Sequence, residues 1–187
     1  MWLLSFGVLL FCLTHLMPSI MPGIKTGLVS RLDENRYKGL FSLTLLISIV
    51  CIVFGWRGAA VTYIYQPDPA LRHLAVGLIV LAFLLMVAAS RQTRLKRIVR
   101  HPQLTGVFLW ASAHLLLNGD NRSLVLFAAL AAWSFIEIIT ISRREGTWVK
   151  SDVPAWSSEF VTAGIACVVI AVLIALHPYF AGMPVLF

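Results

Sequence analysis

Six long apolar runs divide the chain, at about residues 2–20, 39–56, 73–90, 102–118, 123–141 and 160–176, with Glu137 the one charged residue inside them. Most approach the roughly 20 residues that carry a helix across a hydrocarbon core of about 30 Å. Backbone in hydrocarbon must satisfy its own hydrogen bonds, so all six are predicted to be helices. The expected fold class is all-α: one polytopic membrane bundle of about six helices, a single domain over residues 1–187. The fourth run is the shortest, which predicts a tilted helix or one shielded by its neighbours. The first run begins "MWLLSFGVLLF", without Lys or Arg, and is followed by "MPSIMPG" rather than a small-x-small cleavage site. It is therefore expected as a retained helix, not a signal peptide.

The charges give the bundle a direction. Lys25, Arg31, Arg36 and Lys38 lie in the first connection, Arg91, Arg94, Lys96, Arg97 and Arg100 in the third, and Arg143, Arg144 and Lys150 in the fifth. These are twelve of the 15 Lys and Arg; the even connections hold Arg57, Arg72 and Arg122. The positive-inside rule sets the odd connections in the cytoplasm and both termini outside. Trp56, Tyr63, Tyr65, Trp148 and Trp156 fall near run ends, as interfacial aromatics do.

Composition agrees, with 59% hydrophobic residues and 12% charged, against about 25% charged in a soluble domain. A net charge of +7 raises nucleic acid as a partner. Its clusters flank apolar runs, however, so the expected partner is the lipid bilayer and not nucleic acid. Within "SRQTRLKRIVRHP", Leu95, Ile98 and Val99 among basic residues predict a short amphipathic turn on an anionic leaflet. Cys12, Cys51 and Cys167 stand singly in apolar runs and are expected to be buried as small hydrophobic residues. The chain has no internal repeat and no GxSxG, HExxH or phosphate-loop motif.

Ionisable residues at membrane depth are costly and mark functional sites. They are few: His15 toward the inner end of the first run, His114 well inside the fourth, and Glu137 toward the inner end of the fifth. His101 begins the fourth run, while His73 and His177 stand at outer ends. Gly106, Trp110, His114 and Asn118 recur every four residues, so they share one helix face that must look inward. That face serves equally for interhelical packing or for a ligand. The short turn "NGDNRS" folds the fourth and fifth runs into a hairpin. Glu137 then comes within a turn of Arg100 and His101, and a polar pair there would explain the buried carboxylate. His101 and His114 are 13 residues apart, which separates them by about 20 Å on different faces. They cannot share a metal, and each needs a partner from another helix. On depth alone, His15 matches His101 better than His114.

The segments "HLMPSIMPGIKTGLVSRLDENRYKGLFSL" (15–43), "RHLA" (72–75), "RHPQLTGVFLWASAHLLLNGD" (100–120) and "HPYFAGMPV" (177–185) resemble the NnrU family of bacterial membrane proteins. That family is related to the zeta-carotene isomerases of plants. The combination of RHP, AHLL-NGD and a first-span His-x-x-Pro-Ser is specific to it. The resemblance implies a membrane bundle with a redox or accessory role in nitrogen-oxide metabolism, that is, in denitrification. The isomerase branch binds haem b through two histidines, and by motif these fall on His15 and His114. Arg100, His101 and Glu137 would then support the cofactor on the inner side, for instance at a propionate. Two neutral imidazoles in an apolar bundle suit such a site.

The same relationship implies an alternative, a cis–trans isomerase acting on a polyene or another hydrophobic small molecule. The chain departs from that branch: "HLMPS" stands in place of a small Ser-Gly pair, and the longer loops are missing. A third reading is a non-catalytic membrane assembly factor whose histidines only pack and hydrogen-bond. RHP also resembles isoprenylcysteine methyltransferases, but those need a long acidic C-terminal stretch, and "SRREGTWVKSDVPAWSSEF" is short.

Overall fold

The computed structural model describes residues 1–150 and 152–182. Residues 183–185, the end of the "HPYFAGMPV" match, lie outside them. The described residues form seven α-helices: α1 (Trp2–Ile20), α2 (Pro22–Leu32), α3 (Glu34–Gly58), α4 (Arg72–Ala89), α5 (Pro102–Leu117), α6 (Asn121–Glu145) and α7 (Trp156–Ala181). All six apolar runs are helical. Five helices, α1, α3, α4, α6 and α7, are long and apolar enough to cross a membrane. The sixth run is α5, whose 16 residues extend about 24 Å. It is shielded as expected: it packs on both α4 and α6 and buries Pro102, Gly106, Ala111 and Ala113.

α2 is not visible as an apolar run. Pro22 opens it at the first turn, where a missing N–H costs nothing. Asp33 ends it and caps α3, its Oδ1 accepting the amides of Asn35 and Arg36. None of its residues is buried. With Lys25 and Arg31 it has the character of an interfacial helix beside the inner ends of α1 and α3.

Small residues set the closest crossing. A Cβ on Gly55 would lie 2.3 Å from the Leu4 backbone nitrogen, and one on Gly7 would lie 2.8 Å from that of Ile52. Only glycine lets α1 and α3 approach so closely. The other side of α1 meets α6, with Cys12 against the Ala129 carbonyl. α6 packs on α5, and α5 on α4. The spatial order is thus α3, α1, α6, α5, α4, and α7 crosses the remaining side as a strap. Its inner end meets α4, where Arg91 Nε donates to Thr162 Oγ1 at 3.1 Å. Its outer end meets α3, where Trp56 Nε1 donates to the Ala181 carbonyl at 3.3 Å and Arg57 to that of Tyr179 at 2.7 Å. Both ends of the described chain therefore lie at one end of the bundle.

α7 buries only Thr162 and Ala166, which corrects one expectation. Cys12 is buried and Cys51 half-buried, but Cys167 is exposed, because a strap presents most of its surface to lipid. The basic 94–97 segment is a short 3-10 helix, with Ile98 exposed beside it. It is tied to α7 through the Arg94 amide, which donates to Glu159 Oε1, and through the Arg94 guanidinium over Trp156.

Candidate functional site

The two strongest sequence motifs bracket one hairpin. At its inner end Pro102 opens α5 and is buried. Arg100 donates to the Gly146 carbonyl at 2.8 Å and pairs with Glu145 at 3.3 Å. His101 Nε2 meets Ser142 Oγ at 2.9 Å. RHP therefore fastens the start of α5 to the end of α6. At the outer end Asp120 caps α6, accepting the Arg122 and Ser123 amides and the Ser123 hydroxyl. Burial alone would raise its pKa, but the Ser123 and Arg122 donors outweigh it and hold the carboxyl below its usual range. Gly119 accepts the amides of Ile64 and Tyr65, and its position leaves no room for a Cβ against the Tyr65 carbonyl. "NGD" is thus a cap and a close backbone crossing.

Burial lowers the pKa of His101, Arg100 adds to this, and Glu145 opposes it. A depressed histidine pKa contributes stability above the unfolded value, about 6.5, and loses it as pH falls through the folded value. Amide exchange over residues 142–145, corrected for intrinsic rates, should accelerate between pH 7.5 and 5, while exchange at 120–123 should not. In His101→Gln the inner-end response should disappear; an unchanged response there would show that another group titrates.

Glu137 does not join this cluster. Arg100 and His101 find partners five to eight residues further along α6, leaving Glu137 about 7 Å deeper. It is 3% exposed, and its Oε2 has no hydrogen-bond partner among the described residues. The expected Glu137–Arg100/His101 pair is therefore replaced by an orphaned carboxyl.

The inward face of α5 behaves as its four-residue spacing predicts. A Cβ on Gly106 would lie 2.7 Å from the Ala82 carbonyl of α4. Trp110 and His114 turn to α6, with His114 stacked on Phe127 at 4.4 Å and Trp110 edge-on to it at 5.2 Å. Trp56 of α3 reaches Phe127 at 6.2 Å. His177 stands one turn before Ala181, the Trp56 contact, on the same face of α7. An outer cage of aromatic rings around His114 results, with His177 at the same end of the bundle.

His15 has a separate, inner cage. Its ring lies 4.3 Å from Phe11, 5.0 Å from Trp133 and 5.7 Å from Phe41. Both histidines are oriented alike. His15 Nδ1 is 2.9 Å from the Phe11 carbonyl, and His114 Nδ1 is 2.8 Å from that of Trp110. A carbonyl can only accept, so each Nδ1 carries the proton and each Nε2 keeps its lone pair. Such a backbone anchor is what orients a metal-ligating imidazole.

Each imidazole therefore fits haem iron as a donor. Their contacts on α6, Trp133 and Phe127, are six residues apart, which is about 9 Å along the axis and on different flanks. Among the described residues no three His, Cys, Asp or Glu side chains converge on a metal site.

Sequence reasoning missed Tyr37, Phe41, Phe127 and Trp133 as site residues. Trp133 had a signal, standing one turn before Glu137 on the same face. Comparison with curated proteins and with solved structures finds no significant match. The family model described as "NnrU protein" matches residues 3–185, and the chain belongs to the NnrU family of proteins.

Proposed function

We propose that this NnrU-family membrane protein holds haem b through His114 and serves a redox or accessory role in nitrogen-oxide metabolism at the bacterial inner membrane. The supporting observation is the imidazole itself, with its Nδ1 anchored to the Trp110 carbonyl and its Nε2 lone pair left for a ligand. Phe127, Trp110 and Trp56 surround it with ring surface that excludes water and accepts a flat apolar cofactor. Haem b would supply one-electron exchange, with its potential set by the axial ligands. The second axial imidazole is His15 by family resemblance. His177 competes for that role by neighbourhood, one turn from Ala181, which meets Trp56 beside Phe127.

The test is an absorption spectrum of the full-length protein, purified from haem-replete cells and reduced with dithionite. Sharp low-spin haem bands at about one haem per chain are expected. A colourless preparation would leave the histidines as packing groups and overturn the proposal.

A further inference from the structure

The outer cage accounts for His114 but not for the inner half of the bundle. Five buried side-chain atoms lack a hydrogen-bond partner among the described residues. Three of them, Tyr37 Oη, Trp133 Nε1 and Glu137 Oε2, belong to α3 and α6, which flank α1 at its inner end. Tyr37 and Trp133 are each 8% exposed and Glu137 is 3% exposed. A buried polar group without a partner costs free energy, so three such groups in one region call for an occupant.

A continuous line of contacts joins them. The Tyr37 ring is 6.3 Å from Phe41, Phe41 is 5.7 Å from His15, and His15 is 5.0 Å from Trp133. Glu137 follows Trp133 by one turn on the same face of α6. His15 adds a lone pair at Nε2, since its proton is committed to the Phe11 carbonyl. Tyr37 and Phe41 also line an apolar cavity of about 330 Å³ between α1, α2 and α3, together with Leu13, Met17, Leu28 and Leu40. Leu13 and Leu40 are exposed at its rim, so it opens toward lipid.

The chemistry of these groups selects the occupant. Trp133 Nε1 only donates, Glu137 and His15 Nε2 accept, and the Tyr37 hydroxyl does both. A matching molecule needs hydroxyls that donate and accept, a flat ring to lie against Phe41 and Trp133, and an apolar tail for the cavity. A phosphate or carboxylate headgroup offers only acceptors and would leave Glu137 Oε2 and His15 Nε2 without a donor. An unsubstituted polyene would satisfy none of the four groups. We propose that the inner half of the bundle is a binding site for a hydroquinone lipid, its ring among His15, Phe41 and Trp133, its hydroxyls on Tyr37, Trp133 and Glu137, and its tail in the α1–α2–α3 cavity.

The site shares only His15 with the proposed haem pair, and its test reads bound quinol rather than a haem signal. Full-length protein in detergent is dialysed against decylubiquinol under argon, and the bound quinol is extracted and measured by chromatography. Saturable binding near one per chain is expected. Glu137→Gln and Trp133→Phe should each weaken it at least fivefold, and Tyr37→Phe by a similar factor. His73→Ala, at the start of α4, should leave it unchanged. Trp133→Phe keeps an aromatic ring and removes the N–H, so it tests the hydrogen bond even if the Glu137 variant folds poorly. A phospholipid of matched chain length should not compete. Unsaturable uptake, equal competition by the phospholipid, or wild-type affinity in both Trp133→Phe and Glu137→Gln would overturn the proposal.

Discussion

Replacing Gly55 by valine will separate α1 from α3 and remove most of the folded protein. The new Cβ would begin 2.3 Å from the Leu4 nitrogen, 2.6 Å from its Cα and 2.8 Å from the Leu3 carbonyl carbon. All three are backbone atoms of a helix, so no side chain can swing away to make room. Leu4 is fully buried and belongs to the core cluster with Val8, Cys12 and Trp133. Displacing α1 therefore opens that cluster and the His15 cage at once. Overpacking in a rigid core costs typically about 1–3 kcal/mol, and more where nothing can yield. Gly58, three residues later, has no atom within 4 Å of an added Cβ. Gly58→Ala should therefore express and melt as wild type. Size-exclusion recovery and thermal melting in detergent would separate the two variants; equal behaviour would disprove the close α1–α3 crossing.

Replacing His114 by alanine will abolish the haem spectrum or convert it to a high-spin one. In the proposed haem site the imidazole would be the iron ligand, while Phe127 and Trp110 would provide only ring surface. His73→Ala, at the outer start of α4, should change nothing. The second ligand is decided by comparing His15→Ala with His177→Ala. If His15 completes the pair, haem would tie α1 to α5 and should protect both helices from amide exchange. If His177 completes it, α7 is the helix that becomes protected.

Much of the bundle could be read from apolar run length and loop charge alone. The six runs became helices because hydrocarbon permits no other backbone arrangement. The hairpin followed from a short polar turn. α2 escaped notice because an exposed interfacial helix needs no apolar run, only a proline start and a capping aspartate. The Glu137 pairing failed for a different reason. α6 continues to Glu145, so the acceptors for Arg100 and His101 come from its last turns, beyond the level where a polar partner for RHP was expected. The site was half legible. Two histidines at membrane depth were evident, but sequence spacing fixes only depth and face, not which flank of α6 each meets. Trp110 illustrates this: it packs on Phe127 of α6, while Trp133 of the same helix turns to α1. Cys167 belongs to the same class, since no periodicity distinguishes a strap from a core helix.

The role of His114 as an iron ligand has one direct test. His114→Gly removes the ring and leaves a space its size beside Phe127. Protein purified with haem in the presence of added imidazole should regain the low-spin spectrum in a saturable manner and lose it on dialysis. A His114→Gly protein whose spectrum already equals that of the wild type without imidazole would show that the iron, if bound, is held elsewhere.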